Sequence, residues 1–198
     1  MYNEKKKIMK KLLLILFVLF SIGVNAQTES HLEFKGIPIT GSLDNMVGKL
    51  KSQGYELIKI VENAAVLEGK FANENCELYV WCTPKTKIVY QILVKFDSKD
   101  SWWSLKSDYQ KLKEQIRTKY NVTPDVAEGF LKPYYEGDGY ELQAIRLSKS
   151  IHSSEFKLSE GEITLMIIDS PCVKLYYMDA IGYKLKEQEE NQTSYDDL

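Results

Sequence analysis

The chain has 198 residues, 44% of them hydrophobic and 27% charged, with 26 basic and 28 acidic side chains and a net charge of −2. That hydrophobic share fills one core, or two small halves sharing a sheet, without disulfide staples. The basic residues form no cluster beyond the first dozen positions, so the electrostatic footprint of a nucleic-acid binder or an anionic-membrane binder is missing.

The opening residues read as a secretory signal over 1–26. Lys5, Lys6, Lys7, Lys10 and Lys11 precede the apolar block Leu12 to Phe20, and the small-residue exit Val24-Asn25-Ala26 stands before Gln27; charge, apolar run and small-residue exit come in the secretory order. Met9, followed by two lysines, offers a more compact start than Met1. The apolar block is shorter than the roughly 20 residues that span a bilayer, and no later segment approaches that length. A lipid anchor needs a cysteine at the cleavage point, and the first cysteine is Cys76. The expected product is therefore periplasmic or secreted, with no transmembrane segment. Cleavage removes five lysines and Glu4, leaving 21 basic against 27 acidic side chains and a net charge of −6.

In the remaining chain, Leu43, Met46, Val47 and Leu50 recur at helical spacing between Ser42 and Gly54, which predicts an amphipathic helix. Four strand-like runs follow at Tyr55–Val61, Ala64–Phe71, Cys76–Thr83 and Ile88–Phe96, with turns short enough for an antiparallel meander. A second helix is predicted from the stripe Trp102, Leu105, Tyr109, Leu112, Ile116 and Tyr120, capped by Asp100 or Ser101. Residues 124–131 read as a short helical turn and Gly137-Asp138-Gly139 as a tight turn. Strands are expected at Tyr140–Leu147, Glu155–Leu158, Glu162–Asp169 and Cys172–Met178, and a closing helix at Asp179–Glu190. Residues 191–198 are polar and are expected to form a flexible tail.

The expected class is α+β, an antiparallel sheet with helices packed on one face, because each predicted helix carries one apolar stripe. The domain is assigned to 27–190. Helix-then-strands occurs twice, and each half ends in an apolar strand running into an aspartate, Val94-Lys95-Phe96-Asp97 and Tyr176-Tyr177-Met178-Asp179. This marks two divergent repeats over 36–98 and 99–180. The signal ending in Ala26-Gln27, the Gly36-Ile37-Pro38-Ile39 lead and the twofold layout resemble exported proteins of gut Bacteroides-type bacteria. The layout is also similar to β-lactamase-inhibitor-like proteins, tandem helix-plus-sheet repeats that work by binding other proteins. That resemblance implies a binding role and transfers no functional residue.

Catalytic patterns are sparse. His31 and His152 are the two imidazoles, and neither has a second metal ligand at zinc-site spacing. Glu136, Asp138 and Glu141 lack the alternation of a calcium loop, and no glycine-rich phosphate cradle occurs, so no metal and no cofactor is assigned. Asn121-Val122-Thr123 and Asn191-Gln192-Thr193 match the glycosylation pattern by chance. A thiolate couple of Cys172 with His152 is one enzyme reading, and a carboxylate pair acting on glycosides is another. Cys76 and Cys82, six apart on one strand face, lie about 20 Å from each other and cannot pair. A bridge from Cys172 to either would need a bulge.

The distinctive feature is aromatic content, with 13 tyrosines and 3 tryptophans. Strand parity sorts them. Cys76, Leu78, Val80 and Cys82 take one face and Glu77, Tyr79 and Trp81 the other. In the next strand Ile88, Tyr90, Ile92, Val94 and Phe96 are expected inward and Val89, Gln91, Leu93 and Lys95 outward. The face away from the helices then carries Tyr79, Trp81, Leu93, Lys174 and Tyr176 as candidate binding residues, with Trp103 a further candidate on the second helix. Tyrosine and tryptophan anchor protein interfaces and sugar-stacking platforms because they bury much area at small entropy cost. The expected function is an exported, non-catalytic, inhibitor-like binding protein whose partner is a protein or glycan of the cell envelope. The alternatives are a carbohydrate-associated module or weak glycosidase, and a cysteine-dependent hydrolase or redox protein.

Overall fold

The structure, a computed structural model, describes residues 30–196, with side chains placed as far as residue 192. The predicted signal over 1–26 and the last two residues of the predicted tail lie outside the described residues.

A short hairpin, β1 (Glu33–Phe34) and β2 (Ile37–Pro38), turns at Lys35-Gly36, both with positive φ. The sequence reading of this stretch as a mere lead into the first helix missed its role, since Leu32, Phe34, Ile37 and Ile39 are all buried. Helix α1 (Leu43–Ser52) begins at Ser42, whose hydroxyl accepts the Asn45 amide, and buries the predicted Leu43, Met46, Val47 and Leu50. Strands β3 (Glu56–Val61), β4 (Ala64–Phe71), β5 (Glu74–Cys82) and β6 (Val89–Phe96) follow as an antiparallel meander. Helix α2 (Trp102–Tyr120) is capped by Ser101 and stops at Asn121 in the left-handed region, where asparagine is tolerated.

The second half departs from expectation in two places. Residues predicted as a helical turn form β7 (Asp125–Phe130), and the run predicted as a strand at Tyr140–Leu147 contains helix α3 (Glu141–Arg146). The two errors have different causes. Strand β7 lies at the sheet edge and is exposed along nearly its whole length, so it has no apolar alternation to announce it, whereas α3 buries Glu141, Ala144 and Ile145 at helical spacing. Strands β8 (Ser150–Lys157), β9 (Gly161–Ile167) and β10 (Val173–Asp179) complete the half. Helix α4 (Ala180–Asp196) starts directly from β10 and runs beyond the expected stop at residue 190.

The eight strands form one antiparallel sheet in the order β3-β4-β5-β6-β10-β9-β8-β7. Two four-stranded meanders thus meet through their last strands, with Leu175 opposite Val94 and Tyr177 opposite Ile92. The chain is α+β, with helices packed on the sheet. The α1 and α2 stripes join Leu67, Leu78, Val80, Ile92, Val94, Leu165 and Leu175 in one core, all seven of these at 0% exposure. Phe34 stacks on Phe71 at 5.4 Å and meets Tyr177 edge-on at 5.3 Å, so the N-terminal hairpin closes that core.

Strand parity holds from Ile92 to Phe96 and fails at the start of β6. The register shifts between Trp81 and Cys82, and Val89 faces Cys82 with 0% exposure, although it was expected outward. The expected inward residue Tyr90 is partly exposed and packs against Gly182 of α4, where a Cβ would meet Tyr90 at 2.8 Å. A bulge inserts one residue and so reverses facing on one side of it.

His31, read as part of a flexible lead, is fixed. Asp179, 0% exposed, accepts from the Leu32 amide at 2.8 Å and the Gly182 amide at 2.8 Å, and lies 3.0 Å from His31 Nδ1. One carboxylate therefore ties the N-terminal segment, the end of β10 and the start of α4.

Candidate functional site

The face of the sheet opposite the core is ordered by strand register. Glu68, Glu77, Lys95, Lys174 and Met166 form one row across β4, β5, β6, β10 and β9. The next row is Val66, Tyr79, Leu93, Tyr176 and Thr164, and the third is Ala64, Trp81, Gln91, Met178 and Glu162. Five of the six predicted site residues, Tyr79, Trp81, Leu93, Lys174 and Tyr176, are thereby brought together on neighbouring strands. Trp103 stands apart on α2 and is 79% exposed.

This surface is apolar at its centre and charged at its margin. Tyr79 and Trp81 stack at 5.8 Å with 18° between their planes, while Leu93 at 7% and Val66 at 5% exposure are sealed by their neighbours. Tyr79, Trp81, Tyr176, Met178 and Met166 remain half-buried. Three of the charges are paired or hydrogen-bonded at close range: Lys95 Nζ donates to Glu77 Oε2 at 3.0 Å, Tyr79 donates to the same oxygen at 2.9 Å, and Lys174 reaches Asp169 at 2.8 Å. The Lys95 hydrogen bond holds the Glu77 carboxyl below its ordinary range, and the Glu77 contact in turn raises Lys95. Burial pushes Tyr79 and Tyr176 up, so both rings carry neutral hydroxyls at physiological pH.

Of the thiols and imidazoles, only Cys172 lies near this surface, within electrostatic reach of Lys95 and Tyr176. Cys76, Cys82 and Cys172 are all buried and free; burial pushes the Cys76 thiol up to about 11 and raises Cys82 as well, which disfavours thiolates. His152 lies on β8, with β9 between it and β10, so the proposed couple with Cys172 is separated by about 10 Å of sheet. His152 Nδ1 is 2.8 Å from Ser150 Oγ, and its ring is enclosed by Trp102 at 5.0 Å, Phe130 at 5.2 Å and Tyr109 at 6.3 Å. Sequence reasoning placed this histidine in a polar segment. Its signal was the alternation Ser150, His152, Ser154, Phe156, which is the buried face of β8. Burial lowers its pKa against the opposing pull of Glu128 and Glu136. Among the described residues, no group of three or more His, Cys, Asp or Glu side chains is placed to hold a metal ion, and no helix is long and apolar enough to cross a membrane.

Compared with known proteins, the chain matches no family profile, no curated sequence and no solved structure.

Proposed function

We propose that the protein is an exported, non-catalytic binding module that engages another protein through the open face of its sheet, in the manner of an inhibitor. The observation that carries this reading is the row Val66, Tyr79, Leu93, Tyr176, flanked by Trp81 and Met178, which forms an aromatic and aliphatic patch on four adjacent strands. Large side chains held by a sheet lose little entropy on association, so the patch is pre-organised for a partner. The paired charges around it add register and selectivity rather than net attraction. Residues 1–26 supply the export signal, and the mature chain starts at Gln27.

The test is a native pull-down from a cell-envelope extract with the mature protein, against the triple change Tyr79→Ala, Trp81→Ala, Tyr176→Ala. A retained protein should be lost from the triple variant and kept by Trp103→Ala, which lies off the patch. The variant's melting midpoint should stay within a few degrees of the parent, since half-exposed positions contribute little to stability. Undiminished capture by the triple variant would overturn the reading.

A further inference from the structure

On the helix side of the sheet, the first turns of α2 border a depression of about 400 Å³ whose lining includes Trp102, Trp103, Ser107 and Gln110. An adjoining hollow of about 330 Å³ is lined by Phe130, Tyr135, His152 and Glu128 among others, and the two share Lys106 and Glu136. Together they make one trough, with the Lys106–Glu136 ion pair at its middle, Trp103 in one lobe and Tyr135 in the other. Each lobe has the volume of a small-ligand site.

Trp103 and Tyr135 are 79% and 65% exposed. Between them Trp102 packs inward, edge-on to Phe130 at 5.3 Å, while the outer two rings face solvent. The backbone that carries each is nevertheless fixed. Trp103 sits on a capped helix. The loop bearing Tyr135 is pinned by Asp138, which accepts from the Tyr135 amide at 3.0 Å and the Tyr140 amide at 2.7 Å, and by Glu141, which accepts from the Gly137 amide at 2.7 Å.

The lining chemistry selects the occupant. Glu136 is neutralised by Lys106, and Glu128 by Lys113 at 2.6 Å, so the trough offers no net charge to an ionic ligand. What remains is a set of neutral donors and acceptors: the Gln110 amide and Ser107 hydroxyl do both, the ion pair contributes one of each, and flat rings stand at either end. A pyranose presents the matching features, an apolar C–H face for a ring and hydroxyls that donate and accept together. We propose that this trough binds a neutral oligosaccharide, with Trp103 and Tyr135 each stacking on a sugar ring and Gln110, Lys106 and Glu136 taking the hydroxyls between. The site is separate from the sheet face and stands or falls independently of it.

The test is a titration of the purified protein, followed by tryptophan fluorescence and calorimetry, with cellohexaose, xylohexaose, mannohexaose and maltohexaose, and with trigalacturonate as an anionic control. At least one neutral hexamer should bind. Trp103→Ala and Tyr135→Ala should each weaken it about tenfold or more, and Glu136→Gln should weaken it measurably. Glu114→Gln, an exposed change elsewhere on α2, should leave the affinity unaltered. Because the two aromatics are exposed, both variants fold, and a loss reads directly on the trough. No binding of any neutral hexamer at millimolar concentration, a preference for the anionic sugar, or affinity unchanged by Trp103→Ala would each overturn the proposal. So would the loss of a captured protein, rather than of sugar, in the Trp103→Ala variant.

Discussion

Leu78 and Tyr79 are neighbours on β5 and belong to opposite surfaces. Leu78, at 0% exposure, lies in the core under the helices; Tyr79 lies half-buried on the open face, stacked on Trp81 and bonded to Glu77. The contrast repeats along β6 and β10, where Val94 and Leu175 face inward and Leu93 and Tyr176 face out. One face of the sheet carries the stability and the other presents the candidate interface, and the pleat keeps them one residue apart. Stability and binding should therefore separate cleanly by mutation.

The largest expected effect breaks the closed face. Leu78→Ala should cost about 2–5 kcal/mol in denaturant unfolding, the range for emptying a leucine site in a packed core, whereas Tyr79→Ala next to it should cost under about 1 kcal/mol. Equal costs would mean that the open face is itself covered in solution. Next in size is Asp179→Ala, which strands the buried Leu32 and Gly182 amides and frees His31. A loss of about 3 kcal/mol is expected, with hydrogen exchange accelerated over 31–39; unchanged exchange there would show that the N-terminal hairpin is held by Phe34 and its aromatic neighbours alone.

The smallest effect is a pH dependence confined to the closed face. Burial lowers the His152 pKa in the folded protein, so between that lowered value and the ordinary value near 6.5 the unfolded chain binds the extra proton. The stability owed to neutral His152 is complete above about pH 6.5 and is lost as pH falls below it. Denaturant midpoints measured from pH 7.5 to 5 should fall more steeply for the parent than for His152→Gln, with the carboxylates common to both. Parallel curves would mean that the imidazole charges freely inside its aromatic enclosure.

Legibility differed by region for physical reasons. Helix α2 was readable because its stripe recurs over 19 residues, and the first meander because its turns are short and its strands alternate. The candidate face was readable in the same way: facing is a period-2 property, so Tyr79, Trp81, Leu93 and Tyr176 could be placed on one side before any partner strand was known. The bulge opposite Cys82 was not readable, because a bulge is a relation between two strands, and it turned Val89 inward. Strand β7 and helix α3 were exchanged for different reasons: an edge strand carries no buried alternation, and a short helix offers less than two turns of periodicity.

The edge strands show the same limit from the other side. In β3, Leu57, Ile58, Ile60 and Val61 are 38–52% exposed although the sequence reads as an ordinary apolar strand. A register irregularity between Leu57 and Lys59, together with the lysine itself, interrupts that edge, a device that discourages pairing with another chain. Which strands become edges depends on how the two meanders join, and they join through β6 and β10.

By itself the sequence determined the class of fold, the helical stripes and the sidedness of the central strands, because each rests on local periodicity within one segment. Only the tertiary structure decided that the two halves share one sheet, that Asp179 binds a segment 147 positions away in sequence, and that His152 lies within aromatic rings while Trp103 stands clear of them. Those outcomes depend on which surfaces meet once the core closes, and no single stretch of chain contains that information.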